Sequence, residues 1–84
     1  VKKYYDIEED VYRELSQATA KFPAMNSAHE GYSVLAEEVD ELWDEVRGKQ
    51  GARDMAKMRK EAIQVAAMAI RFVMDVCDGG RGNV

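Results

Sequence analysis

The chain has 84 residues, 46% hydrophobic and 33% charged, with a formal net charge of −4. That length is one small domain, 1–84, and the balance is that of a folded chain, not a disordered one. The longest uncharged apolar run, AIQVAAMAI at 62–70, is about half of a membrane span. No secretory leader pattern is visible, and the negative balance argues against a nucleic-acid backbone as partner.

Apolar spacing predicts three helices and no strand, an all-α fold. The first carries Ile7, Val11, Leu15, Ala18 and Phe22 on one stripe, with Asp6 as its expected cap and Pro23 as its stop. The second is expected to begin near Asn26 or Ser27, where Glu30 follows Ser27 at capping-box spacing. Its stripe is Tyr32, Leu35, Val39, Leu42 and Val46, and RGKQGAR at 47–53 breaks it. The third is expected from about Asp54 to Cys77, with Gly79 as its terminating glycine and 79–84 as a loose tail. This third helix is apolar almost all round. Met58, Ala62, Val65, Ala69, Phe72 and Val76 form one face, and Ile63, Ala66, Ala67, Ile70, Val73 and Met74 cover much of the rest. Two other short helices cannot bury such an element, so a homodimer or homotetramer, a larger helical bundle, is expected.

Six acids crowd the second helix in EEVDELWDEV: Glu37, Glu38, Asp40, Glu41, Asp44 and Glu45. Glu37/Glu41, Asp40/Asp44 and Glu41/Glu45 are like-charge pairs one turn apart, each costing roughly 0.2–0.5 kcal/mol. Either solvent absorbs that cost or a cation sits there. At 100° per residue, Glu38, Glu41 and Glu45 fall along one border of the apolar stripe, while Glu37, Asp40 and Asp44 lie further toward solvent. On the third helix one narrow polar stripe remains: Lys57, Glu61, Gln64, Arg71 and Asp75, interrupted by Met68. Antiparallel packing of the two helices would set Glu61 opposite Glu38 and Glu41. Three carboxylates plus the Gln64 carbonyl oxygen would then converge, a ligand set suited to a hard cation such as Mg²⁺.

EEVDE (37–41), followed after nineteen residues by EAIQ (61–64), resembles the EExxE…ExxD pattern of the MazG-type all-α nucleoside triphosphate pyrophosphatases. The wider run AHEGYSVLAEEVDELWDEV…KEAIQVAAMAIRF is similar to small MazG-like proteins of phages and mobile elements, and the resemblance covers roughly residues 27–75. It implies a helical-hairpin subunit assembling into an oligomeric, four-helix-bundle-like fold. It further implies Mg²⁺-dependent cleavage of a nucleoside triphosphate between the α- and β-phosphates, giving a monophosphate and pyrophosphate, with Mn²⁺ as an alternative ion. The implied activity is nucleotide-pool house-cleaning. Carried over residue by residue, the metal ligands are Glu38, Glu41, Glu61 and the position held by Gln64, with the three glutamates catalytic through the metal. Gln64 departs from the family's Asp and supplies a neutral oxygen in place of a charge. Glu45, and with it Glu37, are the expected supporting carboxylates. Lys57, Lys60 and Arg71 are the expected contacts for the phosphates.

DGGRGN lacks the Lys-Ser/Thr and the preceding strand of a phosphate-binding loop. His29 has no ExxH partner and is read as a first-turn residue, which argues against a di-iron carboxylate bundle. Trp43 is read as core or interface, and Cys77 as an inert thiol whose lack of an intrachain partner fits a reducing, cytoplasmic setting. The rival to the enzyme is a non-catalytic helical oligomer that binds a protein partner or a nucleotide, and Gln64 is the residue that favours it.

Overall fold

The computed structural model describes residues 3–84, and among them it contains helices and no strands. Helix α1 spans Tyr4–Lys21, α2 spans Ala28–Val46 and α3 spans Met55–Phe72. A five-residue π-helical turn, Val73–Cys77, continues α3 directly. α3 is the central element: α2 packs along it and α1 lies against it as well.

Local chemistry sets these boundaries. α1 starts one turn before the expected cap: Lys3 is its N-cap residue, and Asp6 sits in the first turn, where its Oδ2 accepts from the Lys3 backbone N–H at 3.4 Å. An acid there also faces the positive end of the helix dipole. α1 ends where Phe22, directly before Pro23, is forced into extended geometry (φ −122°, ψ 146°). α2 begins as expected, with Ser27 Oγ accepting from Glu30 N at 3.0 Å. Asp54 caps α3 by accepting from Ala56 N at 3.0 Å and Lys57 N at 3.1 Å. Between α2 and α3, Arg53 Nε donates to the Val46 carbonyl at 2.7 Å, and Gly51 takes a left-handed φ of +86°.

The faces of the helices differ from the expected ones. The buried core is small: Val11 and Ala18 of α1, Ala67 and Met68 of α3, then Met25 and Val76 near the linker. Leu15, Val34, Leu35, Ile63 and Ala66 pack against it. On α2 the packed side runs through Gly31, Val34, Leu35 and Glu38, so Tyr32 and Val39 of the expected stripe face outward. On α3 the inversion is larger. The polar stripe turns inward, with Glu61, Gln64 and Asp75 half-buried and Met68 and Arg71 buried. Ala62, Ala69, Ile70, Val73 and Met74 are exposed instead. The reason is that those polar groups find partners inside the molecule, described below, whereas a uniformly apolar surface gives α3 no reason to prefer one side.

The exit from α3 also differs by one residue. Asp78 N–H reaches back to the Val73 carbonyl (2.8 Å) and Arg81 N–H to that of Val76 (2.9 Å), each five residues earlier. The wider turn consumes an extra residue, so Gly80 (φ +76°), not Gly79, takes the left-handed position. Gly79 is needed for another reason: a β-carbon there would collide with the Asp75 carbonyl. The following segment, read as a tail, carries one anchor: Arg81 Nη1 donates to the Met25 carbonyl at 2.9 Å.

Gly31 is where α2 approaches α3 most closely. A β-carbon at that position would stand 2.8 Å from Phe72 Cδ2 and 3.1 Å from Met25 Sδ. Gly31→Ala is therefore expected to lose about 1–3 kcal/mol by overpacking, although alanine is the better helix former. Urea unfolding of the two proteins checks it, and a gain in stability would show that Phe72 yields freely.

Candidate metal centre

α2 and α3 run antiparallel, and their registers place Glu38 and Glu41 of one beside Glu61 of the other. One carboxylate oxygen from each can be chosen so that all three lie within 4.8 Å of one another. Glu38 and Glu61 are half-buried and Glu41 is exposed, so the trio sits at a mouth and not in the core. Oxygens on opposite sides of a Mg²⁺ ion stand about 4.2 Å apart, and on opposite sides of Ca²⁺ about 4.6–5.2 Å. The trio is thus within a few tenths of an ångström of what a hard divalent ion requires. Repulsion among the uncompensated carboxylates accounts for the slack.

The electrostatics record the same crowding. Partial burial, then the charge of Glu41, a proton shared with Glu41, and the charges of Glu61 and Glu14 push the Glu38 carboxyl from 4.5 up to about 7. Burial and Glu41 also raise the Glu61 carboxyl, with Lys60 opposing the shift and Glu45 adding to it. No cation within the protein neutralises the trio.

Gln64 lies among these groups. One end of its carboxamide is 3.0 Å from Glu61 Oε2 and 3.2 Å from Glu38 Oε2; with nitrogen there, the amide donates to both. In the opposite orientation the nitrogen faces Glu14 Oε1 at 3.4 Å, and the oxygen joins the carboxylates. The donor set is then four oxygens, all of the hard type that Mg²⁺ and Mn²⁺ accept.

The mouth opens on a cavity of about 590 Å³ between α1, the linker and the α2–α3 pair. Glu14, Glu37, Glu38, Glu41 and Gln64 line its acidic end. Its other end holds Lys21 and Arg71, with Phe22, Pro23, Met25, Val34 and Met68 as apolar wall. Lys21 Nζ lies 5.8 Å from the centre of the Phe22 ring. Arg71, only 5% exposed, donates from Nη2 to the Pro23 carbonyl at 2.7 Å and pairs with Asp75 at 3.6 Å. Asp75 in turn accepts from Met25 N at 3.0 Å. Arg71 and Asp75 therefore hold the linker that walls the cavity.

Of the residues singled out by the sequence, Glu38, Glu41, Glu61 and Gln64 come together. Glu37 lines the cavity, and Glu45 lies near enough to act on Glu61. Arg71 reaches the cavity, but most of its hydrogen-bonding is spent on the protein. Lys57 and Lys60 are exposed and outside the cavity lining. Trp43 is exposed, not core, and His29 lies in the first turn of α2, exposed. Glu14 and Lys21 of α1 were not singled out. Glu14 borders the apolar stripe of α1 just as Glu38 borders that of α2, and that signal was present in the sequence.

No family model, curated protein or solved structure matches this chain.

The raised Glu38 carboxyl has a consequence for stability. Because the folded state holds its proton more tightly than the unfolded chain, this contribution is full below about pH 4.5 and fades as pH rises through about 7. Glu41, Glu61 and Glu14 face the same group and deepen the loss as they ionise. Metal-free protein should therefore lose thermal stability between pH 5 and pH 7.5, and Glu38→Gln should flatten that slope. Melts across this range at constant ionic strength check it; equal slopes in both proteins would locate the dependence elsewhere.

Proposed function

We propose that the protein is a MazG-like, Mg²⁺-dependent nucleoside triphosphate pyrophosphohydrolase, cleaving between the α- and β-phosphates to release a monophosphate and pyrophosphate. The observation that supports this reading best is the convergence of Glu38, Glu41 and Glu61 from two helices at the mouth of a cavity with cations at its other end. A volume near 590 Å³ falls in the range of small-molecule sites, about 300–1,000 Å³.

Glu38, Glu41, Glu61 and the Gln64 carbonyl would hold the ion. Bound there, Mg²⁺ supplies charge neutralisation at the phosphates and a more acidic water. Each carboxylate keeps a second oxygen, and one of these accepts the proton of the water that attacks phosphorus. Lys21 and Arg71 meet the negative charge that gathers on the departing pyrophosphate. Lys57 and Lys60 lie outside the cavity lining and are not assigned this contact. The apolar wall of Met25, Val34 and Met68 excludes water from one side of the substrate. A cytoplasmic setting belongs to this proposal. No helix among the described residues is long and apolar enough to cross a membrane.

A homo-oligomer is part of the same reading. The chain exposes 6157 Å², roughly a thousand more than the about 5,000 Å² expected of a 9.5 kDa monomer. That surplus compares with the about 800 Å² each partner contributes to a standard interface. Tyr32, Val39 and Trp43 of α2 and Met55, Ile70 and Val73 of α3 are large apolar groups left in solvent. Light scattering at micromolar concentration should return at least twice the chain mass; the mass of one folded chain would remove the argument.

Stability and activity together separate this function from the rival, a non-catalytic oligomer that binds a partner or nucleotide, which Gln64 at the position of an expected Asp favours. Glu38→Gln and Glu61→Gln should leave the metal-free protein at least as stable as the parent, since each removes a like charge. Both should abolish most of the stabilisation that added Mg²⁺ gives by binding the folded state alone. Pyrophosphate release from a panel of canonical and modified triphosphates should fall by orders of magnitude in both. Stabilisation of the parent by Mg²⁺ without any pyrophosphate release would favour the rival. A large loss of metal-free stability in either variant would make that glutamate structural.

A further inference from the structure

We propose that Glu14 is a positioning residue for the metal centre: its carboxylate holds the Gln64 amide nitrogen, so that the amide oxygen faces Glu38 and Glu61 as the fourth oxygen ligand of a divalent ion. This rests on the metal reading above and adds to it a residue from α1, the helix that supplies none of the three carboxylates.

The two ends of the Gln64 amide meet two different requirements. Toward Glu61 and Glu38, at 3.0 and 3.2 Å, nitrogen is the better atom while the carboxylates are uncompensated, because an N–H donates to both. Once a cation lies among them, an N–H pointed at it is repelled and oxygen is the better atom. The amide then turns over, and its nitrogen needs an acceptor on the far side. Glu14 Oε1 is the acceptor there, 3.4 Å away and fifty residues distant in sequence. Its charge strengthens the bond, since a hydrogen bond to an ionised acceptor is roughly twice as strong as a neutral one. Partners behind a metal ligand that fix its orientation are worth about 10–100-fold in metal affinity. A carboxylate at position 64 would be symmetric and need no such hold. The requirement for Glu14 is therefore specific to glutamine at this position.

Mn²⁺ affinity, read by electron paramagnetic resonance without any substrate, tests this. Glu14→Ala should weaken Mn²⁺ binding roughly tenfold, whereas Glu14→Gln, which keeps an acceptor oxygen, should stay within about threefold of the parent. In a Gln64→Ala background, Glu14→Ala should cost nothing further. Equal weakening by Glu14→Ala and Glu14→Gln would mean that Glu14 acts only as a distant charge, and overturn the proposal. So would an undiminished cost in the Gln64→Ala background, or no cost at all. A second measurement needs no variant: the Gln64 side-chain amide resonances of the parent should shift on saturation with Mg²⁺, and unmoved resonances would show that the amide does not turn. A parent that binds no Mn²⁺ removes the metal reading and Glu14's role together. A parent that binds it normally, unaffected by Glu14→Ala, removes only the latter.

Discussion

Three carboxylates within 4.8 Å repel one another, and much of this small structure can be understood as the means of holding them there. The hydrophobic core alone is a modest counterweight, six buried apolar side chains in a body 44 Å long. What keeps α2 against α3 is tight contact at the far end of the pair, where Gly31 admits the Phe72 ring and the Met25 sulfur. There the linker is fastened as well, by Arg71 to the Pro23 carbonyl, by Asp75 to the Met25 amide and by Arg81 to the Met25 carbonyl. Repulsion at one end of the hairpin is resisted by fastening at the other.

The inward stripe of α3 thus has two halves with opposite electrostatic character. At its C-terminal half, Arg71 and Asp75 are paired, hydrogen-bonded and closed to solvent, so charge there is satisfied within the protein. At its N-terminal half, Glu61 has like charges for neighbours and only Lys60 to oppose them. Met68 separates the two halves. A ligand carrying phosphate and a divalent ion matches this division, because it brings positive charge where the protein lacks it and negative charge toward Lys21 and Arg71. The cavity joins both halves in one space.

The sequence was informative where local chemistry decides and silent where three-dimensional accounting does. Ser27, Asp54 and Pro23 act within a few residues of themselves, and their roles were legible from spacing. The trio was legible too, since Glu38, Glu41 and Glu61 border stripes at helical spacing on two helices that a short break forces antiparallel. The direction in which α3 faces was not. Apolar residues surround that helix, so periodicity gives no unique buried side, and the choice falls to the pairing of Arg71 with Asp75 and the linker carbonyls. Those partners sit 48 to 56 residues apart, beyond the reach of any local pattern. The π-helical turn was invisible for a similar reason: VMDVC reads as ordinary helix, and only tertiary contacts favour the wider winding.

That turn sets a constraint of its own on how the chain may vary. An extra residue per turn slows the rotation of the backbone, which lets Asp75 stay below Arg71 and brings Val76 to near-complete burial. Deleting one residue between 73 and 77 would wind the segment back to ordinary helical pitch and swing everything after it through roughly a quarter-turn or more. Arg81 would then leave the Met25 carbonyl, and the wall beside the cavity would lose its outer fastening. Side-chain identity in this stretch is therefore less tightly held than residue count. A shortened version would be a misaligned part even with every contact residue intact.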